Sequence, residues 1–180
     1  VANGVDTKWF AEKKRQLADR PTILSVGTFK WLPNIEAVDF LVNQVWPLIK
    51  KAVHNANLLI VGNAPTEKVI SYGKSDSQIT VAGRVEDIRD AFGSAHVLLA
   101  PVFSGKGTRY KILEAMASGT PVVASKIAVE GLNITDGVHL LTSNKANDLA
   151  DLTVRVLNDK NLWQKLSKNE IGRASCRERV

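Results

Sequence analysis

The chain has 180 residues, 44% of them apolar and 23% charged, with a formal net charge of +6. That length supports one domain with a sizeable core, and the composition is that of an ordinary globular protein, which excludes fibrous and disordered classes. No apolar run approaches the roughly 20 residues needed to cross a bilayer, and a modest positive excess spread along the chain argues against nucleic-acid binding.

The start, VANGVDTKWF, has neither a basic stretch followed by an apolar one nor an initiator methionine, so the sequence is expected to begin mid-protein. Asn3-Gly4 is a turn signal, and the charged AEKKRQLADRP after it reads as a solvated interdomain linker or entry segment, giving residues 1–20 that role. Next come the strand ILSVGTF (23–29) and a helix over 34–51, with Asn34 as its N-cap and Ile35, Val38, Leu41, Val42 and Val45 at helical spacing. NLLIVGN (57–63), QITVAGR (78–84) and HVLLAPV (96–102) read as strands, separated by helices near 65–73 and 86–93. A helix over 109–118, the strands PVVASK (121–126) and HLLTS (139–143), and helices over 146–157 and 160–169 complete the series. The last eleven residues, EIGRASCRERV (170–180), can be reverse-translated into a common short-read sequencing adapter. They are read as a non-native tail, and 171–180 are left out of the fold expectation. Those ten residues carry a net +2, leaving +4 elsewhere, and hold the only cysteine, Cys176; a remainder without thiols suits a cytoplasmic protein.

Most of these strands are continuous apolar runs, as expected when helices cover both faces of a parallel sheet. Strand-helix alternation with short connections predicts an α/β domain over 21–169, a doubly wound parallel sheet with right-handed crossovers. In such a sheet ligands bind beyond the carboxyl ends of the strands. Gly27, Gly62, Gly83, and Gly105 with Gly107 follow the first four strands in turn. The helix after the fourth is unusual in its charge. Its apolar face is Ile112, Leu113, Met116 and Ala117, but Lys106, Arg109 and Lys111 crowd its start and no acid precedes Glu114. A helix N-terminus carries partial positive charge and favours acids, so three bases there point to a bound anion, with phosphate or diphosphate the natural choice behind a glycine-rich turn. Glu114 lies roughly 8 Å along the helix from its start, a suitable reach from a diphosphate to ribose hydroxyls.

From NGVD (3–6) to the helix near 169, the sequence resembles the carboxyl-terminal, donor-binding domain of GT-B glycosyltransferases of group 1, glycosyltransferase family 4. The matching segments are VGTFKWLPN (26–34), NLLIVG (57–62), AGRVEDI (82–88), GTRYKILEAMASGTPVVAS (107–125) and VEGL (129–132). The resemblance implies the Rossmann-like half of a GT-B fold, a nucleotide-diphosphate sugar as donor substrate, and a preceding acceptor-binding domain that is missing here. It implies retaining transfer without a metal or cofactor, in polysaccharide biosynthesis, by a protein that is cytoplasmic or peripheral at the inner face of the membrane, any membrane contact running through the missing domain. Consistently, no Asp-x-Asp occurs, and His54, His96 and His139 show no ligand spacing. The implied donor-binding residues are Gly27, Thr28 and Lys30 after the first strand and Gly83, Arg84 and Val85 toward the base. Ser104, Gly105, Lys106, Gly107 and Thr108 fall on the diphosphate and sugar, with Glu130 of VEGL also on the donor. Arg109, Lys111 and Glu114 are the expected catalytic residues, Glu114 holding the ribose.

Two departures matter. The family's usual Arg and Lys after the first strand are Thr28 and Pro33 here, and its second Glu is Lys106. The cationic work is therefore expected to have moved to Arg109 and Lys111, helped by Lys30 or Lys106. Alternative readings are half of a non-hydrolysing nucleotide-sugar epimerase or a non-catalytic nucleotide-binding module. Trp31, Trp46 and Trp163 are expected to serve packing, the last helix to offer a surface to the missing domain, and the fragment alone to be inactive.

Overall fold

The computed structural model describes residues 5–105 and 109–171. Strand β1, Thr22–Val26, is buried along almost its whole length, which places it mid-sheet. β2 (Asn57–Val61) and then β3 (Ile79–Gly83) flank it on one side; β4 (Val97–Ala100), β5 (Val122–Ala124) and β6 (Leu141–Thr142) follow on the other. The six strands run in the order β3-β2-β1-β4-β5-β6, and every pairing is parallel. The fold is thus the doubly wound α/β sheet the sequence predicts, with the strand order reversing between β1 and β4. The helices are α1 (Thr7–Glu12), α2 (Leu32–Phe40), α3 (Trp46–Ala52), α4 (Glu67–Ser75), α5 (Ile88–Ser94), α6 (Tyr110–Ala117), α7 (Ala146–Asn158) and α8 (Lys160–Ile171).

Because side chains alternate along a strand, the continuous apolar runs feed two separate cores. Ile23, Leu58, Ile60, Val97 and Leu99 face a cluster completed by residues of α2, α3, α7 and α8. Leu24, Val61, Leu98 and Ala100 face the other, with Phe92 of α5 and Ile112 and Met116 of α6.

Between α2 and α3 the chain makes a π-helical segment, Leu41–Val45, where the Trp46 N–H bonds back to the Leu41 carbonyl. Pro47 accounts for it: lacking an N–H, it cannot donate to the Asn43 carbonyl, and the helix widens by one residue. The predicted cap is corrected here. The helix starts at Leu32 with Trp31 as N-cap and Pro33 in its first turn, a position that suits proline. Asn34 lies inside the helix, which leaves its amide free for the contacts described below.

The entry segment is not merely solvated. Asp6 caps α1 by accepting the Trp9 N–H, α1 packs on α6, and Lys13 pairs with Asp87 at 2.9 Å and Asp90 at 2.5 Å. Arg15, from the charged run, donates to the carbonyls of Gly119 and Ala95 and to Thr120 Oγ1, and its guanidinium stacks 5.1 Å from the Trp163 ring centroid. Arg15→Ala is expected to cost about 2–3 kcal/mol by leaving carbonyls without a charged donor, a fall in Tm of about 4–10 °C that thermal denaturation would register. Trp46 and Trp163 do serve packing: each is anchored through its ring N–H, to Asp76 at 3.0 Å and the His96 carbonyl at 2.8 Å.

Candidate functional site

All six strands end on the same edge, and the loops leaving β1, β2, β3 and β4 enclose a cleft of about 800 Å³ at the β1/β4 switch point. That is a volume suited to a small-molecule ligand. Close approach of backbones builds it. The Gly62 N–H bonds the Gly83 carbonyl at 2.8 Å, Gly27 N–H the Val61 carbonyl at 3.0 Å, and Phe29 N–H the Asn63 carbonyl at 3.0 Å. Gly105 has φ +95, a conformation open to glycine, and lies against Pro33 across the cleft.

α6 begins at this cleft without an acid in its first turn, and Arg109, its N-cap, offers no capping hydrogen bond. The N-terminal dipole and two cations therefore add rather than cancel. Arg109 donates to the Gly105 carbonyl at 3.1 Å, closing its own loop. Lys111 is half-buried and donates to Asn34 Oδ1 at 2.8 Å. Burial, reinforced by the Arg109 charge and opposed by Glu114, pulls its pKa from 10.5 down to about 8. Burial pushes the Glu114 carboxyl up, while Lys111 pulls it down. Among the described residues Lys111 and Glu114 form no salt bridge; the lysine reaches across to α2 instead.

The cleft brings together Gly27, Thr28, Arg84, Val85, Ser104, Gly105, Arg109, Lys111 and Glu114 from three regions distant in sequence, the β1 loop, the β3 loop, and the β4 loop with the start of α6. Gly83 shapes the β3 loop with φ +65 without lining the cleft, and Lys30 and Glu130 are exposed away from its lining. Lys106, Gly107 and Thr108 lie outside the described residues. The sequence reading missed Asn34, which it had assigned to capping, and also Asn63 and Tyr110, which line the cleft. A Pro-Asn pair has a satisfactory local explanation at a helix start, so no local signal marked its longer reach. Trp31, 68% exposed, lines the mouth rather than filling a core. Ser104 donates to Glu36 at 3.2 Å, a second tie between the β4 loop and α2.

Together these features define an open α/β domain with an electropositive, anion-ready cleft at its strand switch. Residues 20–159 match the family model for glycosyl transferases group 1, and the chain belongs to that family. A phosphatidyl-myo-inositol mannosyltransferase of Mycobacterium leprae is 34% identical over 116 residues, covering 62% of this chain and 31% of the relative. The chain thus spans about a third of the length of that relative. Two solved structures share the fold. Anabaena Alr3699/HepE in complex with UDP-glucose superposes with a TM-score of 0.78 at 17% identity, over 98% of this chain and 52% of that one. The C-terminal domain of a group 1 family glycosyl transferase (LpcC) from Francisella tularensis does so with a TM-score of 0.71 at 20% identity, over 94% and 95%. Among the described residues no helix is long and apolar enough to cross a membrane.

Proposed function

We propose that this chain is the donor-binding half of a retaining glycosyltransferase that takes its sugar from a nucleoside diphosphate, with an acceptor-binding domain completing the enzyme. The observation that carries this is the α6 start: two cations at a positive dipole end, one of them half-buried, facing an 800 Å³ cleft at the switch point. The fold shared with a UDP-glucose-bound protein, and with an isolated C-terminal domain of a group 1 enzyme, supports the assignment. Arg109 and Lys111 hold the diphosphate and stabilise the charge that grows on it as the glycosidic bond breaks, so the leaving group is activated by fixed charges without a metal. Glu114, on the helix face behind them, accepts from the ribose hydroxyls, and Arg84 and Val85 border the base. The second domain positions the acceptor hydroxyl, and closure excludes water.

Calorimetry with UDP, GDP and ADP tests the reading. One nucleotide is expected to bind, and Glu114→Ala to weaken it about tenfold, the loss of one or two charge-assisted hydrogen bonds. Absence of binding by all three at millimolar concentration, or binding indifferent to Glu114→Ala, would overturn it.

A further inference from the structure

Lys111 belongs to α6, but its hydrogen-bond partner belongs to α2, across the strand switch. Asn34 Oδ1 accepts from the Lys111 ammonium at 2.8 Å while Asn34 Nδ2 donates to the Thr28 carbonyl at 2.9 Å. The two contacts demand opposite ends of the amide. A carbonyl can only accept and an ammonium can only donate, so the orientation of Asn34 is set by its partners. The surroundings are shaped to the same end. A Cβ on Gly27 would come within 2.8 Å of Asn34 Cγ and 3.1 Å of Oδ1, so only glycine there lets the amide lie against the end of β1. Nor is Asn34 needed as a cap, because Trp31 holds that place and the Asn34 N–H bonds the Trp31 carbonyl at 3.0 Å.

We propose that Asn34 is a positioning residue: its amide holds the Lys111 ammonium at the cleft as a charged donor with no salt-bridge partner among the described residues, and fixes it to the β1–α2 loop through Thr28. This rests on the anion-binding role given to the cleft above. The neutral amide is what the task requires. An ammonium has three N–H groups, and one bond to Asn34 leaves two for an incoming diphosphate. A carboxylate at position 34 would hold the lysine equally well but would cancel the charge the anion needs. Among the described residues the charged groups bearing on Lys111 are Arg109 and Glu114, both from its own segment; α2 meets it with the uncharged Asn34.

The deciding measurement is an NMR titration of the Lys111 Cε and Nζ signals in the ligand-free chain, for wild type, Asn34→Ala and Asn34→Asp. Wild type is expected to titrate near 8. Loss of the acceptor should lower the midpoint by about one pH unit in Asn34→Ala, and a carboxylate should raise it by at least about one in Asn34→Asp. Inorganic pyrophosphate, titrated calorimetrically at pH 7.0 as about neutral working conditions, should bind both variants about tenfold more weakly than wild type. A purely structural asparagine would lower the melting temperature and leave the Lys111 midpoint where it was; identical midpoints in all three proteins overturn the proposal. If Asn34→Ala does not fold, Asn34→Asp decides alone, since an acid near the start of α2 is favoured by the helix dipole. Midpoints that move as stated in a protein to which pyrophosphate does not bind would leave the Asn34–Lys111 coupling standing and bring down the anion-binding role of the cleft.

Discussion

A Lys111→Met protein is expected to melt at a higher temperature than wild type and yet to bind the nucleoside diphosphate proposed for the cleft about 100-fold more weakly. The first half follows from the lysine's titration. Its pKa in the folded chain, about 8, lies below the 10.5 of the exposed side chain, and burial is the leading cause. Between those two values the unfolded chain binds more protons than the folded one, so wild-type stability rises with pH across that window; below about 8 the whole penalty is present. At neutral pH that amounts to about 3 kcal/mol. Methionine removes it but strands Asn34 Oδ1, costing about 1–2 kcal/mol, so a net gain of about 1–2 kcal/mol remains. The second half follows from the loss of a charged donor at the diphosphate, about 2.7 kcal/mol for a 100-fold change. Thermal denaturation at pH 7 and at pH 10, alongside calorimetric titration of the nucleotide, checks both. The stabilisation should shrink at the higher pH, where wild-type Lys111 is already neutral. A cation retained in a half-buried place at a cost to stability is what a binding site asks of its fold.

Gly62→Ala is expected to destabilise the domain by about 3 kcal/mol or more. The reason is not the conformation of residue 62 but the space beside it: an added Cβ would lie 1.6 Å from the Gly27 carbonyl oxygen and 2.9 Å from Phe29 Cε2. The obstacle is backbone, which cannot rotate away, and that backbone is tied on both sides by the Gly62-Gly83 and Gly27-Val61 hydrogen bonds. The β1 loop must then separate from the β2 loop, taking Thr28 and Asn34 with it, so nucleotide affinity should fall along with stability. Gly83→Ala is the useful comparison. Gly83 has φ +65 but open space around its missing Cβ, so alanine there bears only the left-handed backbone penalty of about 1–2 kcal/mol. Urea denaturation should rank Gly62→Ala as the more damaging of the two; equal effects would mean that the strand ends are farther apart in solution than described here.

The displacement of positive charge unites these expectations. Where family members usually carry Arg and Lys after the first strand, this chain has Thr28 and Pro33, and the cations stand across the cleft on Arg109 and Lys111. The β1–α2 loop has not left the site. It contributes a backbone carbonyl at Thr28, and the start of α2 contributes a neutral amide at Asn34, which together orient the cation that now comes from α6. Lys30, the cation of that loop, is exposed and away from the cleft lining, and among the described residues the cations lining the cleft are Arg84, Arg109 and Lys111.

The sequence by itself determined the class of fold, because continuous runs such as LLIV and VLLA can be buried only where helices cover both faces of a sheet, and this pattern survives without knowledge of strand order. It also pointed to one edge of the sheet as the place for a ligand. Glycines after successive strands and bases at a helix start are local features whose meaning comes from backbone freedom and the helix dipole. Strand order, by contrast, arose only in the tertiary structure, since each crossover can pack on either side of β1 with the same local pattern. That order makes β1 and β4 neighbours and brings Asn34 to Lys111 across 77 positions of sequence. The role of Asn34 was illegible for the same reason. Its amide satisfies a helix start equally well on local grounds, and only the packing of two distant loops, made possible by a missing Cβ at Gly27, turns it toward the lysine. Likewise the charged AEKKR run looked like solvent-facing chain, because the carbonyls that Arg15 meets come from Ala95 and Gly119, far along the sequence. Propensity and periodicity act over a few residues, whereas the partners of a buried polar group are chosen by the fold as a whole.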